Sequence, residues 1–123
     1  MLAQAVKCYI HLVIFRKDER IFSPSTRYQD YPVSSTKLHW ESHSVISQAS
    51  ATGQNYLHFI ERGYTVLFFA RVNRQIEGQT APFIYLGPAS ALLSAEGDRP
   101  IRMLWELRYP MPAVLLEEVL PAG

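Results

Sequence analysis

The chain has 123 residues, a mass of 14.1 kDa and a formal net charge of +1, with 48% hydrophobic and 19% charged residues. Those proportions exclude disorder over most of the length and leave room for one core, so residues 1–123 are read as a single domain. The near-zero charge excludes a nucleic-acid binder that works by bulk attraction alone.

In chain order, residues 7–15 read KCYIHLVIF, with Tyr9, His11, Val13 and Phe15 on one face and Cys8, Ile10, Leu12 and Ile14 on the other. Both faces are largely apolar, which predicts a central strand. The charged cluster at residues 16–20 is a turn, and residues 21–26 resume briefly before breaking at Ser23-Pro24. Residues 27–44 have no clean period; Pro32 excludes a regular helix, and a short strand fits residues 38–43. Tyr56, Phe59, Ile60 and Gly63 predict a short amphipathic helix ended by glycine.

Residues 64–71, YTVLFFAR, are rich in strand formers, and the polar stretch NRQIEGQT after them reads as a hairpin loop. Two further strands are expected at residues 82–86 and 89–95, separated by Gly87-Pro88. Residues 101–107 alternate, with Ile101, Met103, Trp105 and Leu107 facing one way. A closing helix runs from Pro112 and ends before Pro121. The fold class is therefore mainly β (α+β): a small curved antiparallel sheet or barrel of five to six strands with two short helices.

The single cysteine, Cys8, permits no intramolecular disulfide and no cysteine-based zinc site within one chain, and inside a buried strand its thiol reads as packing. The apolar run at residues 9–15 is too short to span a bilayer and no signal peptide precedes it, so no membrane partner and a cytoplasmic location are expected. His39, Glu41 and His43 share one face if they lie on a strand, a weak metal site that no recognisable fourth ligand completes; a metal-dependent hydrolase using them, with Glu41 as base beside bound water, is the minor alternative function. No G-x-S-x-G elbow and no phosphate-binding glycine loop occur. Gly53 precedes the expected helix, where backbone amides could hold an anion; a helix cap by Ser50 or Thr52 is the favoured reading. No cofactor is expected, and the chain is read as not an enzyme.

Binding chemistry is better represented. Residues 1–111 carry all 12 Lys and Arg but only 9 of the 11 acids, and nine of the 12 basic residues are Arg. Tyr28, Tyr31, Trp40, Tyr85, Trp105 and Tyr109 stand among Arg27, Arg71, Arg102 and Arg108, an inventory that can stack bases while guanidinium groups hold phosphates. Tyr85 and Trp105 read more simply as core; Tyr28, Tyr31 and Trp40 fall in the irregular segment, where binding residues gather.

Four blocks occur in order: H-W-x-S at His39 to Ser42, S-x-T-G-Q at Ser50 to Gln54, Y-L-G-P at Tyr85 to Pro88 and R-x-P-M-P-A at Arg108 to Ala113. The two middle blocks are loop-like, where packing alone does not easily account for them. In these blocks the chain resembles, over about residues 28–116, the bacterial domain of unknown function 3427, found at the C-terminal end of superfamily II helicases of restriction and phage-defence systems. That family carries Gln at the positions of Glu41 and His43, which weakens the metal reading. The resemblance implies an accessory module on a DNA-processing machine, with DNA and a helicase or nuclease module, in cis or in trans, as partners. The expected function is non-catalytic DNA recognition, extending to modified DNA, with Tyr28, Tyr31, His39, Trp40, Ser42, Thr52, Gly53, Arg71, Arg108 and Tyr109 as candidate contacts. The alternative is a protein-interaction domain that docks a helicase to a partner or to its own core, with Val114, Leu115 and Leu116 as the contact surface.

Overall fold

In the computed structural model, residues 7–15, 30–72, 75–76 and 78–119 are described. The expected turn at residues 16–20, the brief segment at residues 21–26, Arg27, Tyr28 and Pro121 lie outside them. The alternating residues of YTVLFFAR form strand β4 (Thr65–Val72), which buries Val66, Phe68, Ala70 and Val72. Beside it, parallel and in continuous register from Cys8↔Thr65 to Phe15↔Val72, lies β1 (Cys8–Phe15). On its other side, antiparallel, lies β7 (Ile84–Glu96), whose second half pairs with β8 (Arg102–Leu107). Then come β3 (Lys37–Glu41) and the two-residue β2 (Tyr31–Pro32), giving a six-stranded mixed sheet in the order β1-β4-β7-β8-β3-β2. A two-residue hairpin, β5 (Gln75–Ile76) with β6 (Gln79–Thr80), turns at Gly78, as the polar stretch predicts.

The sheet curls into a half-barrel because β7 serves two partners. Its residues 84–88 bond to β4 and residues 89–96 to β8, with register shifts at Phe68/Phe69, Ala89/Ala91 and Leu92/Ser94. This corrects the expected pair of strands: Gly87-Pro88 bends a continuous strand instead of ending it. Gly87 takes φ +97°, and a Cβ there would lie 3.2 Å from the Tyr109 ring, so glycine alone suits the bend.

Helix α1 (Ala51–Leu57) closes the inside of the curl with Tyr56 and the following Phe59, and α2 (Ala113–Val119) adds Leu115 to the same core. This corrects the expected helix end at Gly63: α1 stops at Leu57 with His58 as its cap, and Ile60 of the expected apolar stripe is exposed. Ile101, Met103, Trp105 and Leu107 are all buried, as their alternation requires. Tyr85 is 54% exposed, which overturns the core reading for that residue and leaves it for Trp105 alone.

A second correction concerns β1. Among the described residues it is an edge strand, paired only to β4. His11, Val13 and Phe15 face the core, while Ile10 and Leu12 are each 60% exposed. Apolar residues on both faces of a strand suggest burial on both faces, but among the described residues only one face of β1 is covered. Among the described residues, no helix is long and apolar enough to cross a membrane.

Candidate functional site

Strand β3 is where the candidate residues separate. Successive strand residues point to opposite faces, so Leu38 and Trp40 enter the core while Lys37, His39 and Glu41 face outward. Tyr31 stands opposite His39 in the β2–β3 register, and their rings stack with centroids 4.6 Å apart at 12°. Tyr31 is 39% exposed, so the pair presents aromatic surface to solvent at the sheet margin. Asp30 precedes it, and its Oδ1 accepts the Glu41 backbone N–H at 3.1 Å. Burial pushes the Asp30 carboxyl up to about 6, helped by the Glu41 charge and opposed by that N–H and by His39. Lys37 pairs with Glu106 of β8 at 3.4 Å, tying this outer surface to the next strand.

On the inner face, Trp40 meets His11 with ring centroids 4.0 Å apart, and Tyr56 and Phe68 stand edge-on or tilted around both. His11 is 7% exposed, and its Nε2 has no hydrogen-bond partner among the described residues. Burial, with a smaller contribution from the charge of His43, pulls the imidazole down to about 4. It is therefore neutral near pH 7 and packs as a fifth aromatic ring beside Trp40, Tyr56, Phe68 and the stacked Tyr9.

The structure thus joins Tyr31 to His39 and puts Trp40 behind the sheet; Tyr28 lies outside the described residues. Ser42 is buried, exchanging hydrogen bonds with the Ile101 backbone: its N–H donates to the Ile101 oxygen at 3.0 Å and its Oγ accepts from the Ile101 N–H at 2.9 Å. The S-x-T-G-Q block is a clasp. Ser50 caps α1 by accepting the Gly53 N–H at 3.0 Å, Gln54 Nε2 donates to the Gln48 oxygen at 2.8 Å, and a Cβ on Gly53 would collide with the Ser47 oxygen. Thr52 is half-buried in the first turn of that helix. Capping and close packing therefore account for the S-x-T-G-Q block, and in Y-L-G-P for buried Leu86 and the Gly87 bend but not for the exposed Tyr85.

Arg71 lies on the outer face of β4 with its guanidinium 4.6 Å from the Phe83 ring centroid, four places along the sheet from β2. Arg108 and Tyr109 are exposed just after β8. Their segment is tied to the β2–β3 turn: the Leu107 N–H donates to Thr36 at 2.7 Å and the Met111 N–H to Ser35 at 2.6 Å. Val114 of the closing helix is 63% exposed while Leu115 is 3% exposed, so those two residues of the expected docking surface point to opposite sides.

Among the described residues, no three His, Cys, Asp or Glu side chains converge to hold a metal, and the His39, Glu41 and His43 set is not brought together as one. Sequence reasoning missed Asp30 and His11. Asp30 lies in an aperiodic stretch with no motif around it. His11 carried one usable signal, its place on the inward face of an apolar strand.

A curled six-stranded half-barrel with an aromatic interior, a solvent-facing ring pair at one margin and two short helices defines a small mainly β domain. The chain belongs to the family described as Domain of unknown function (DUF3427), whose model matches residues 2–119. That match covers the β1 region as well as the four blocks. No curated protein matches the chain.

Proposed function

We propose that this domain is a non-catalytic DNA-recognition module serving a superfamily II helicase or nuclease of a restriction or phage-defence system. The supporting observation is the Tyr31–His39 stack at the β2 margin of the sheet, with Tyr31 exposed. Two near-parallel rings on a strand pair form a platform onto which an unstacked base can extend. Arg108, on a segment bonded to the same β2–β3 turn, supplies a phosphate contact, and Tyr109 stands next to it. Arg71 serves as a separate phosphate contact on the far side of the sheet. The helicase association rests on the family resemblance, and modified DNA is proposed as the target by analogy with other small β domains on DNA-processing machines.

Fluorescence anisotropy with short duplex and single-stranded DNA, unmodified and modified at base or backbone, tests this at two salt concentrations. Binding weakens with salt, and Tyr31→Ala or His39→Ala lowers affinity roughly 5- to 100-fold, the range for loss of one stacked base. Absence of binding to every form by folded protein sinks the proposal. A protein-interaction role has its own supporting observation, the exposure of Ile10 and Leu12 on the outer face of β1. An apolar dock of that kind changes little with ionic strength.

A further inference from the structure

A second cluster lies where the start of β1 meets the end of the α1 segment, and none of its side chains belongs to the ring platform. Lys7 and Arg62 are both exposed, and the Lys7 Nζ donates to the Arg62 backbone oxygen at 3.2 Å. Arg62 Nη1 donates to Asn55 Oδ1 at 3.0 Å, and Asn55 Nδ2 donates to the Tyr9 hydroxyl at 3.0 Å. The Tyr9 ring stacks on Tyr64 at 5.2 Å, and the Lys7 ammonium sits 5.7 Å from the Tyr64 ring centroid.

The direction of this relay follows from donor chemistry alone. A guanidinium only donates, so the Asn55 oxygen must face Arg62 and its amide nitrogen must face Tyr9. The Tyr9 oxygen therefore accepts, and its own O–H remains to donate elsewhere. Among the described residues neither Lys7 nor Arg62 pairs with a carboxylate, and the adjacent Glu61 is engaged by His58 at 3.0 Å. Two cations and a phenol O–H thus stand together with donors to spare and their geometry held by Asn55.

We propose that Lys7, Arg62 and the Tyr9 hydroxyl form a cradle for a phosphodiester of the nucleic-acid backbone. This rests on the DNA-recognition reading and adds to it a sequence-independent contact on a different part of the molecule. Asn55 is the positioning residue: it fixes the guanidinium and, by donating to the Tyr9 oxygen, leaves the tyrosine proton for another acceptor.

The test is the salt dependence of oligonucleotide binding by the full chain, with thermal unfolding confirming that each variant is folded. Lys7→Gln/Arg62→Gln lowers the magnitude of the slope of log K against log salt by roughly 1, the loss of one phosphate contact. Lys7→Arg/Arg62→Lys restores it. Asn55→Ala keeps both charges yet weakens binding several-fold, which a purely electrostatic patch would not show. Tyr31→Ala weakens binding with the slope unchanged. Oligonucleotide binding with a wild-type slope in the Lys7→Gln/Arg62→Gln variant overturns the cradle and leaves the DNA reading intact. Wild-type protein that binds no oligonucleotide overturns both. Titration with inorganic phosphate, followed by amide shifts at Tyr9, Asn55 and Arg62, separates the sources. Saturable shifts with no oligonucleotide binding would make this a site for a small phosphate ester and overturn the nucleic-acid assignment.

Discussion

The two faces of β3 hold the same kinds of side chain and use them differently. Inside, His11 and Trp40 touch at 4.0 Å among Tyr56 and Phe68, and the imidazole has lost its charge to burial. Outside, His39 and Tyr31 stack at 4.6 Å with the tyrosine open to solvent. A histidine–aromatic pair is core in one case and lies on the outer face of the sheet in the other. Which it becomes depends on strand parity and on which face of the sheet is covered, not on residue type. Adjacent residues of the H-W-x-S block therefore belong to different functions: His39 is a surface group and Trp40 a core group.

The largest expected effect sharpens this contrast. Trp40→Ala removes a ring from the packed interior and should cost about 3–5 kcal/mol in denaturant unfolding. His39→Ala, one residue away, should cost about 1 kcal/mol or less. Equal losses would mean that the outer face is covered too.

The next effect is an acid loss of stability from the inner face. The His11 pKa falls from 6.5 to about 4 on folding, so the unfolded chain takes up a proton before the native one does. The His11 contribution to stability should decline as pH falls from about 6.5 to about 4, by ~3 kcal/mol, and be level above that window. His11→Phe should abolish this decline, because phenyl can take the place of a neutral imidazole among the same rings. An unchanged acid limb in that variant would mean that another group drives it.

The smallest effect has the opposite sign and belongs to the outer face. Asp30 rises from 3.8 to about 6 on folding, so its contribution is fully present below about 3.8 and is lost as pH rises through about 6. Asp30→Asn keeps an oxygen for the Glu41 N–H without the buried charge. It should stabilise the protein at pH 7 by about 1 kcal/mol, after allowance for partial solvent screening, and not at pH 4. The two titrations overlap between about pH 4 and 6 with opposite slopes, so only the single variants separate them.

Much of the fold was legible because alternation is a local property. Ile101, Met103, Trp105 and Leu107 announce their burial by spacing alone, and Thr65–Val72 is read as easily. The short closing helix follows from Pro112, and Pro32 keeps its segment extended. The β1 position was not legible, since KCYIHLVIF does not record that one apolar face is left uncovered. Nor was the continuity of β7, because Gly-Pro ends most strands and bends this one. In the site, Tyr31 and His39 were identified as candidates, but their pairing depends on a register between two strands. Asn55 and Arg62 carry no motif, and their link to Tyr9 spans 46 residues from Asn55.

By itself the amino-acid sequence determined a mainly β domain with one core and the inward faces of β4 and β8, because these follow from periodicity within a few residues. Only the tertiary structure decided that the sheet curls about a shared strand, that His39 and Trp40 part company across it, and that Lys7, Tyr9, Asn55 and Arg62 meet. Those outcomes depend on long-range pairing and on which surface the chain covers, and no local stretch of sequence carries either.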